Sequence, residues 1–208
     1  MKQGFFIVFI GLLLISSCTN TWKNKDYSFA DGFADLQELD KTYNATFKEE
    51  QLNATMVSVE NIDPLLEQLQ ERQENIEETK ESDDKQALLF FIDIREDMLL
   101  AEKNFQFAQK IGDIGLVTDE KGFSCAEARY ILDAAYYYNE SFTYARKAQF
   151  KLDDLLYRFG SVAQLQDLIG INQQKTAFYK SPLDHVHKII QMNHEALEKN
   201  CKIKVVTE

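Results

Sequence analysis

The 36 residues from Ser124 to Phe159, SCAEARYILDAAYYYNESFTYARKAQFKLDDLLYRF, contain neither Gly nor Pro. An unbroken run of that length reads as one helix about 50 Å long. Ser124 and Glu127 form an S-x-x-E capping box at its start. Asp133, Glu140, Lys147 and Asp154 stand seven apart as a polar stripe, and Ala, Tyr, Phe, Leu and Ile fill most positions between them. The pattern predicts a helix buried around most of its circumference, so other helices must cover its faces.

The rest of the chain supplies them. Phe29, Phe33, Leu36, Leu39, Tyr43 and Phe47 recur by three and four, the apolar face of a first helix within residues 27–52, with Gly32 near its start. Asn53 to Asn61 reads as an extended connection. Asp63-Pro64 then reads as the start of a second helix, Asp as cap and Pro at the first helical position, running to about Lys80. Its apolar side of Leu65, Leu66, Leu69 and Ile76 is thin, which places it on the outside. Ser82, Asp83 and Asp84 cap a third helix over 85–111. Here Ala87, Phe91, Ile94, Met98, Ala101, Phe105 and Ala108 make a heptad-like seam suited to antiparallel packing.

Gly112 to Phe123, with three glycines, is long for a helix–helix connection. After the central helix, Gly160 is a stop and Ser161 opens a short helix that Gly170 ends. A turn or two follows over Asn172 to Tyr179, and Ser181-Pro182 opens a last helix over 182–201. Its inner face is Val186, Ile189, Ile190, Met192 or Asn193, and Leu197. The fold class expected is all-α, an antiparallel bundle of about five helices around the long central one, with 27–208 as a single domain.

The amino terminus stands apart. Lys2 precedes an uncharged apolar run from Gly4 to Ser16. A spanning helix needs about 20 residues, so this shorter run has the size of a signal peptide's middle region; the alternative is a short transmembrane helix. Ile15, Ser16, Ser17 and Cys18 close the run, an aliphatic and two small residues before a Cys. This resembles the lipobox of prokaryotic lipoproteins. The resemblance covers about the first twenty residues, with Ser where Gly or Ala is commoner before the Cys. It implies a signal peptide over 1–17, lipid on the Cys18 sulfur, a tether over 18–26, and a protein exported and held on the outer face of a membrane.

Without residues 1–17 the chain carries 34 acidic against 22 basic residues. That balance argues against nucleic acid as a partner and against adhesion to anionic lipid by charge. The acidity is uneven. Residues 60–85 hold ten acids against three bases, whereas 143–208 hold ten bases against seven acids.

Cys125 and Cys201 are the cysteines left after Cys18, and an even pair in an exported protein is expected to be oxidised. If the last helix returns antiparallel to the central one, the start of the first meets the end of the second. A disulfide is therefore expected, the alternative being two separate buried thiols. His185, His187 and His194 share the last helix, but His187 and His194 lie about 10 Å apart along it and no Glu stands three before any His, so no metal is expected. Tyr130, Tyr137, Tyr138 and Phe142 form the candidate pocket for an apolar or aromatic ligand, against the plainer reading that one or two pack and the rest stay at the boundary with wet hydroxyls.

The sequence shows no nucleophile–base spacing, phosphate loop or calcium loop, and implies no cofactor. The expectation is a non-enzymatic binding or scaffolding lipoprotein with a protein partner in the envelope or outside the cell. The alternative is a carrier of a small apolar or aromatic ligand between helices. The acidic second helix and the loop before Ser124 are the expected contact surfaces. The sequence sets no oligomeric state.

Overall fold

The computed structural model describes residues 28–45, 57–111, 124–159 and 165–204. They form six helices: α1 Phe29–Thr42, α2 Val59–Glu77, α3 Asp83–Ile111, α4 Cys125–Phe159, α5 Gln166–Met192 and α6 His194–Lys199. The fold is all-α. The signal peptide, Cys18, the tether, residues 53–56 of the 53–61 connection, the loop before Ser124 and the start at Ser161 lie outside the described residues, and 59–61, expected to be extended, are helical.

The hub is α3 rather than α4. It packs against α4, α2 and α1, while α5 packs on α4. Its buried residues surround it: besides the expected seam, Leu88, Ile92, Arg95, Leu99, Glu102 and Gln106 are inside. By contrast α4 buries one stripe, Ala128, Ile131, Ala134, Ala135, Tyr138, Ser141, Ala145, Ala148, Leu152 and Leu155. Half of that stripe is Ala, which lets neighbouring backbones come close. Apart from Tyr138, the aromatic rings fall to its flanks, and Tyr130, Tyr136, Phe150 and Tyr157 face water. Expecting α4 to be enclosed counted those rings as core.

The helix ends follow local chemistry. Ser28 Oγ accepts from Asp31 N–H and caps α1. At the other end Asn44, at φ 54°, takes the left-handed turn that lets Asn44 N–H reach Lys41 O and Ala45 N–H reach Asp40 O. This Schellman closure ends α1 at Thr42, well short of residue 52. Helix α2 begins at Val59, four residues before Asp63, so Pro64 lies inside it. The buried Ile62 draws the extra turn in, and Asp63 pairs with Lys103 of α3 instead of capping. Ser82 Oγ accepts from Lys85 N–H and caps α3. Lys85 Nζ in turn donates to Glu77 O at 2.8 Å and Thr79 O at 3.1 Å, satisfying carbonyls at the end of α2. The capping box of α4 forms as expected: Glu127 N–H donates to Ser124 Oγ, and Ser124 N–H donates back to the Glu127 carboxylate.

The largest departure is α5. Gly170 does not end a helix, 172–179 is not a string of turns, and Pro182 does not start one; a single helix runs through all three. Ile171, Asn172, Lys175, Tyr179, Leu183, Val186 and Ile190 are buried at helical spacing. That burial outweighs the cost of a glycine and a proline within the helix. Near its end, Asn193 Nδ2 donates to Ile189 O at 2.9 Å, and the helix breaks there before α6. Met192 is exposed, while Val186, Ile189, Ile190 and Leu197 are inside.

The apolar core comes in two clusters. One joins α1, α2, the first two-thirds of α3 and the end of α4. The other joins the end of α3, the first half of α4, α5 and α6. Cys125 and Cys201 are bonded at the far side of the second cluster, with Cα atoms 5.3 Å apart. The antiparallel return therefore brings the two cysteines together as expected.

Candidate functional site

Where the two apolar clusters meet, the bundle carries a buried polar layer that hydrophobic periodicity does not announce. Ser141 of α4 donates to Ala101 O of α3 at 2.8 Å. Asn172 of α5 donates to Ala145 O of α4 at 3.0 Å and to Gln149 Oε1 at 3.2 Å. At its centre is Glu102, 1% exposed. Its Oε2 accepts from the Tyr179 hydroxyl at 2.6 Å and lies 3.7 Å from Lys175 Nζ. Its Oε1 accepts from Gln106 Nε2 at 3.1 Å, and that same amide donates to Val57 O at 2.6 Å.

Burial governs the titration of this layer. It holds Lys175 below the usual lysine range, with the Glu102 charge and hydrogen bond acting the other way. It also pushes the Tyr179 hydroxyl well up, and there the Glu102 charge and hydrogen bond add to the shift. The Lys175 ammonium lies over the rings of Phe178 and Tyr179 at 5.6 and 5.7 Å, within cation–π range. A buried carboxylate with a tyrosine, an amide and an ammonium around it is a satisfied network, and such a network fixes how α5 sits on α3.

Two further ionic groups sit nearer the α1 end. Arg95 of α3, almost fully buried, pairs with Asp40 of α1. Burial raises the Asp40 carboxyl above its usual value against the opposing pull of Arg95. Lys151 of α4 bridges Asp93 and Asp97 of α3, 2.7 Å from each. Burial alone would depress this lysine, but the two carboxylates more than reverse that and raise it. Next to them Glu96 is raised by burial and by the charges of Asp93 and Asp97.

The tyrosines expected to line a pocket are spread around α4. Tyr138 is buried, its ring 5.7 Å from that of Phe105. Tyr137 is half-buried against Phe107 at 5.6 Å and Tyr136 at 5.3 Å. Phe142 lies one turn beyond Tyr138, half-buried under the Arg146 guanidinium at 5.7 Å. Tyr130 is exposed. Tyr138 and Phe142 thus share a core cluster, and Tyr130 is not brought to them.

No protein-family model, curated protein or solved structure matches the chain. The chemistry therefore rests on the residues themselves. Among the described residues no three His, Cys, Asp or Glu side chains gather closely enough to hold a metal ion. His185 and His187 are exposed, and His194 Nε2 lies 3.6 Å from Glu198. Among the described residues no helix is long and apolar enough to cross a membrane.

Sequence reasoning found the disulfide and missed the polar layer. The available signal was the spacing Asn172, Lys175, Tyr179 on one helix with Glu102 and Gln106, one turn apart, on another. Each of these types is mostly found on surfaces, so the spacing carried no weight.

Proposed function

We propose that the chain is a lipid-anchored, non-enzymatic binding or scaffolding module, exported and held through Cys18 on the outer face of a membrane, where it meets a protein partner. The observation that carries this reading is the Cys125–Cys201 bond. Bonded pairs persist in oxidising compartments, which agrees with the address that Ile15-Ser16-Ser17-Cys18 suggests. The described residues put their polar chemistry into packing: Glu102, Lys175 and Tyr179 satisfy one another inside the bundle.

Helix α2 supplies a surface for the partner. Glu67, Glu71, Glu74 and Glu77 lie exposed along it, and Leu65, Leu69 and Ile76 turn inward. A partner docking there would carry basic residues, and its association would weaken as salt rises.

Intact-mass analysis of the protein from its native membranes tests the reading. The expected mass is that of a chain starting at Cys18 plus lipid, lighter by two hydrogens before reduction than after. Cross-linking in the same membranes is expected to capture a protein on α2. An unprocessed chain with two free thiols would overturn the address and the function built on it.

A further inference from the structure

The described chain begins at one end of the bundle, and that end has a distinctive outer face. Phe29 N–H donates to Asp84 Oδ2 at 2.8 Å, and the Phe29 ring lies 6.3 Å from Phe91, so α1 starts beside the start of α3. The last turns of α4 reach the same end, where the Arg158 guanidinium lies over the Phe90 ring at 5.8 Å. Between Arg146 and Arg158 the exposed residues of α4 are Arg146, Lys147, Phe150, Asp153, Tyr157 and Arg158. Tyr157 is 89% exposed and Phe150 64%. Arg146 lies 5.5 Å over the Phe150 ring, and Arg158 pairs with Asp154 at 3.0 Å.

We propose that this face of α4 rests on the phospholipid headgroups when the protein is anchored. The inference rests on the lipid-anchor reading and gives it an orientation. Nine residues separate Cys18 from Ser28. Whatever path they take, they reach at most about 35 Å, less than the length of α4, about 50 Å. The anchor therefore keeps the Ser28 end of the bundle, with Phe150, Tyr157 and Arg158, within about 35 Å of the lipid, so the bundle cannot stand upright on its disulfide end.

The chemistry of the face fits that position. Aromatic rings with a polar edge, and arginine or lysine stems with charged tips, are the groups the headgroup region accepts. The acidity of the whole chain argues against charge-driven adhesion, but it is not shared by this face. Helix α2, which carries the exposed glutamates, meets α3 where Asp63 pairs with Lys103, whereas α4 meets α3 through Lys151, Asp93 and Asp97. The glutamates of α2 are therefore not part of this face.

The test uses the full chain purified from membranes and reconstituted into vesicles of phosphatidylethanolamine and phosphatidylglycerol, so that no other protein can cover the face. Hydroxyl-radical labelling read by mass spectrometry gives each side chain's reactivity relative to its free amino acid. Tyr157 and Phe150 are expected to label at least about threefold slower than Tyr130 and Met192, which are exposed elsewhere, because an interfacial face is withdrawn from water. In the Arg146→Glu/Lys147→Glu double variant, which alters only exposed residues, that protection is expected to fall toward the level of Met192.

Intact mass on the same sample separates the two claims. If Cys18 carries lipid and Tyr157 labels as fast as Met192, this face is wrong and the anchor stands. If Cys18 carries no lipid and the chain does not sediment with the vesicles, the anchor reading fails and takes this inference with it.

Discussion

Tyr179 donates its phenolic hydrogen to Glu102 at 2.6 Å across 77 residues of sequence, and both side chains are buried. The bond ties α5 to α3, two helices that otherwise meet mainly through α4. Replacing Tyr179 by Phe keeps the ring and removes one donor from a buried carboxylate, at a cost of about 1–3 kcal/mol. Replacing Glu102 by Leu is worse, because it takes the counter-charge from Lys175; removing one partner of a buried pair costs about 3–5 kcal/mol. Urea unfolding of the two variants would show that order. Losses below about 0.5 kcal/mol for both would mean that the network contributes nothing measurable to stability.

The same layer sets a pH dependence. Tyr179 is raised in the folded state chiefly by burial, so its contribution is fully present below the unfolded tyrosine pKa of about 10 and is lost as pH rises through the folded value. Tyr138, raised by burial alone, acts in the same direction. Lys175 is lowered, so between its folded value and about 10.4 the unfolded chain binds more protons and stability rises with pH. Among the groups facing Lys175 and Tyr179 are Glu102 and Phe105 from α3 and Phe178 from α5 itself. Melting temperature should therefore climb slightly as pH approaches about 10 and drop above it. Tyr179→Phe should soften the drop and leave the climb. A drop of the same steepness in that variant would assign it to other groups.

The bundle was legible because its signals are local or periodic. The seam of α3 from Ala87 to Ala108 is buried throughout, and the Ser124–Glu127 box forms. The disulfide followed from antiparallel return and an even cysteine count. The errors share one cause, which is that tertiary burial overrode a local preference. In α5, Asn172 and Lys175 are held inside by partners on other helices, so no local rule could show that the chain stays helical through Gly170 and Pro182. In α4 the conspicuous tyrosines other than Tyr138 are flanks, and the inconspicuous alanines line the core. Asn44 was legible in principle, since Asn is the commonest non-glycine residue in a left-handed helix cap.

The disulfide closes a loop of 76 residues and pins α6 to the start of α4. Restricting the unfolded chain over such a loop is worth up to about 4–5 kcal/mol in the chain-entropy account, and about 2–4 kcal/mol is typical. The Cys125→Ser/Cys201→Ser variant should lose about that much in denaturant unfolding. Amide exchange should rise first in α6 and the end of α5, which the bond holds in place. The polar layer would be spared, since its hydrogen bonds lie between the two clusters and do not involve the cysteines. Uniformly faster exchange through α3 and α4 would show instead that the bond supports the whole bundle.

Two glycines inside helices give opposite expectations for the same substitution. A Cβ on Gly32 of α1 would lie 2.5 Å from Leu88 Cδ1 and 2.6 Å from Cδ2. Leu88 is fully buried in α3, so its side chain cannot swing into water to make room. Gly32 therefore marks a close approach of α1 to the hub, and overfilling that contact costs about 1–3 kcal/mol, more than alanine's helical advantage. A Cβ on Gly170 of α5 meets nothing within 4 Å. There the advantage is undiluted, and Gly170→Ala should stabilise by about 0.5–1 kcal/mol. Adding Leu88→Ala to Gly32→Ala should cost less than the sum of the two single changes, because the smaller residue vacates the space the methyl needs. Strict additivity of that pair in thermal unfolding would mean that α1 does not approach α3 at Gly32, and the packing of α1 would have to be redrawn.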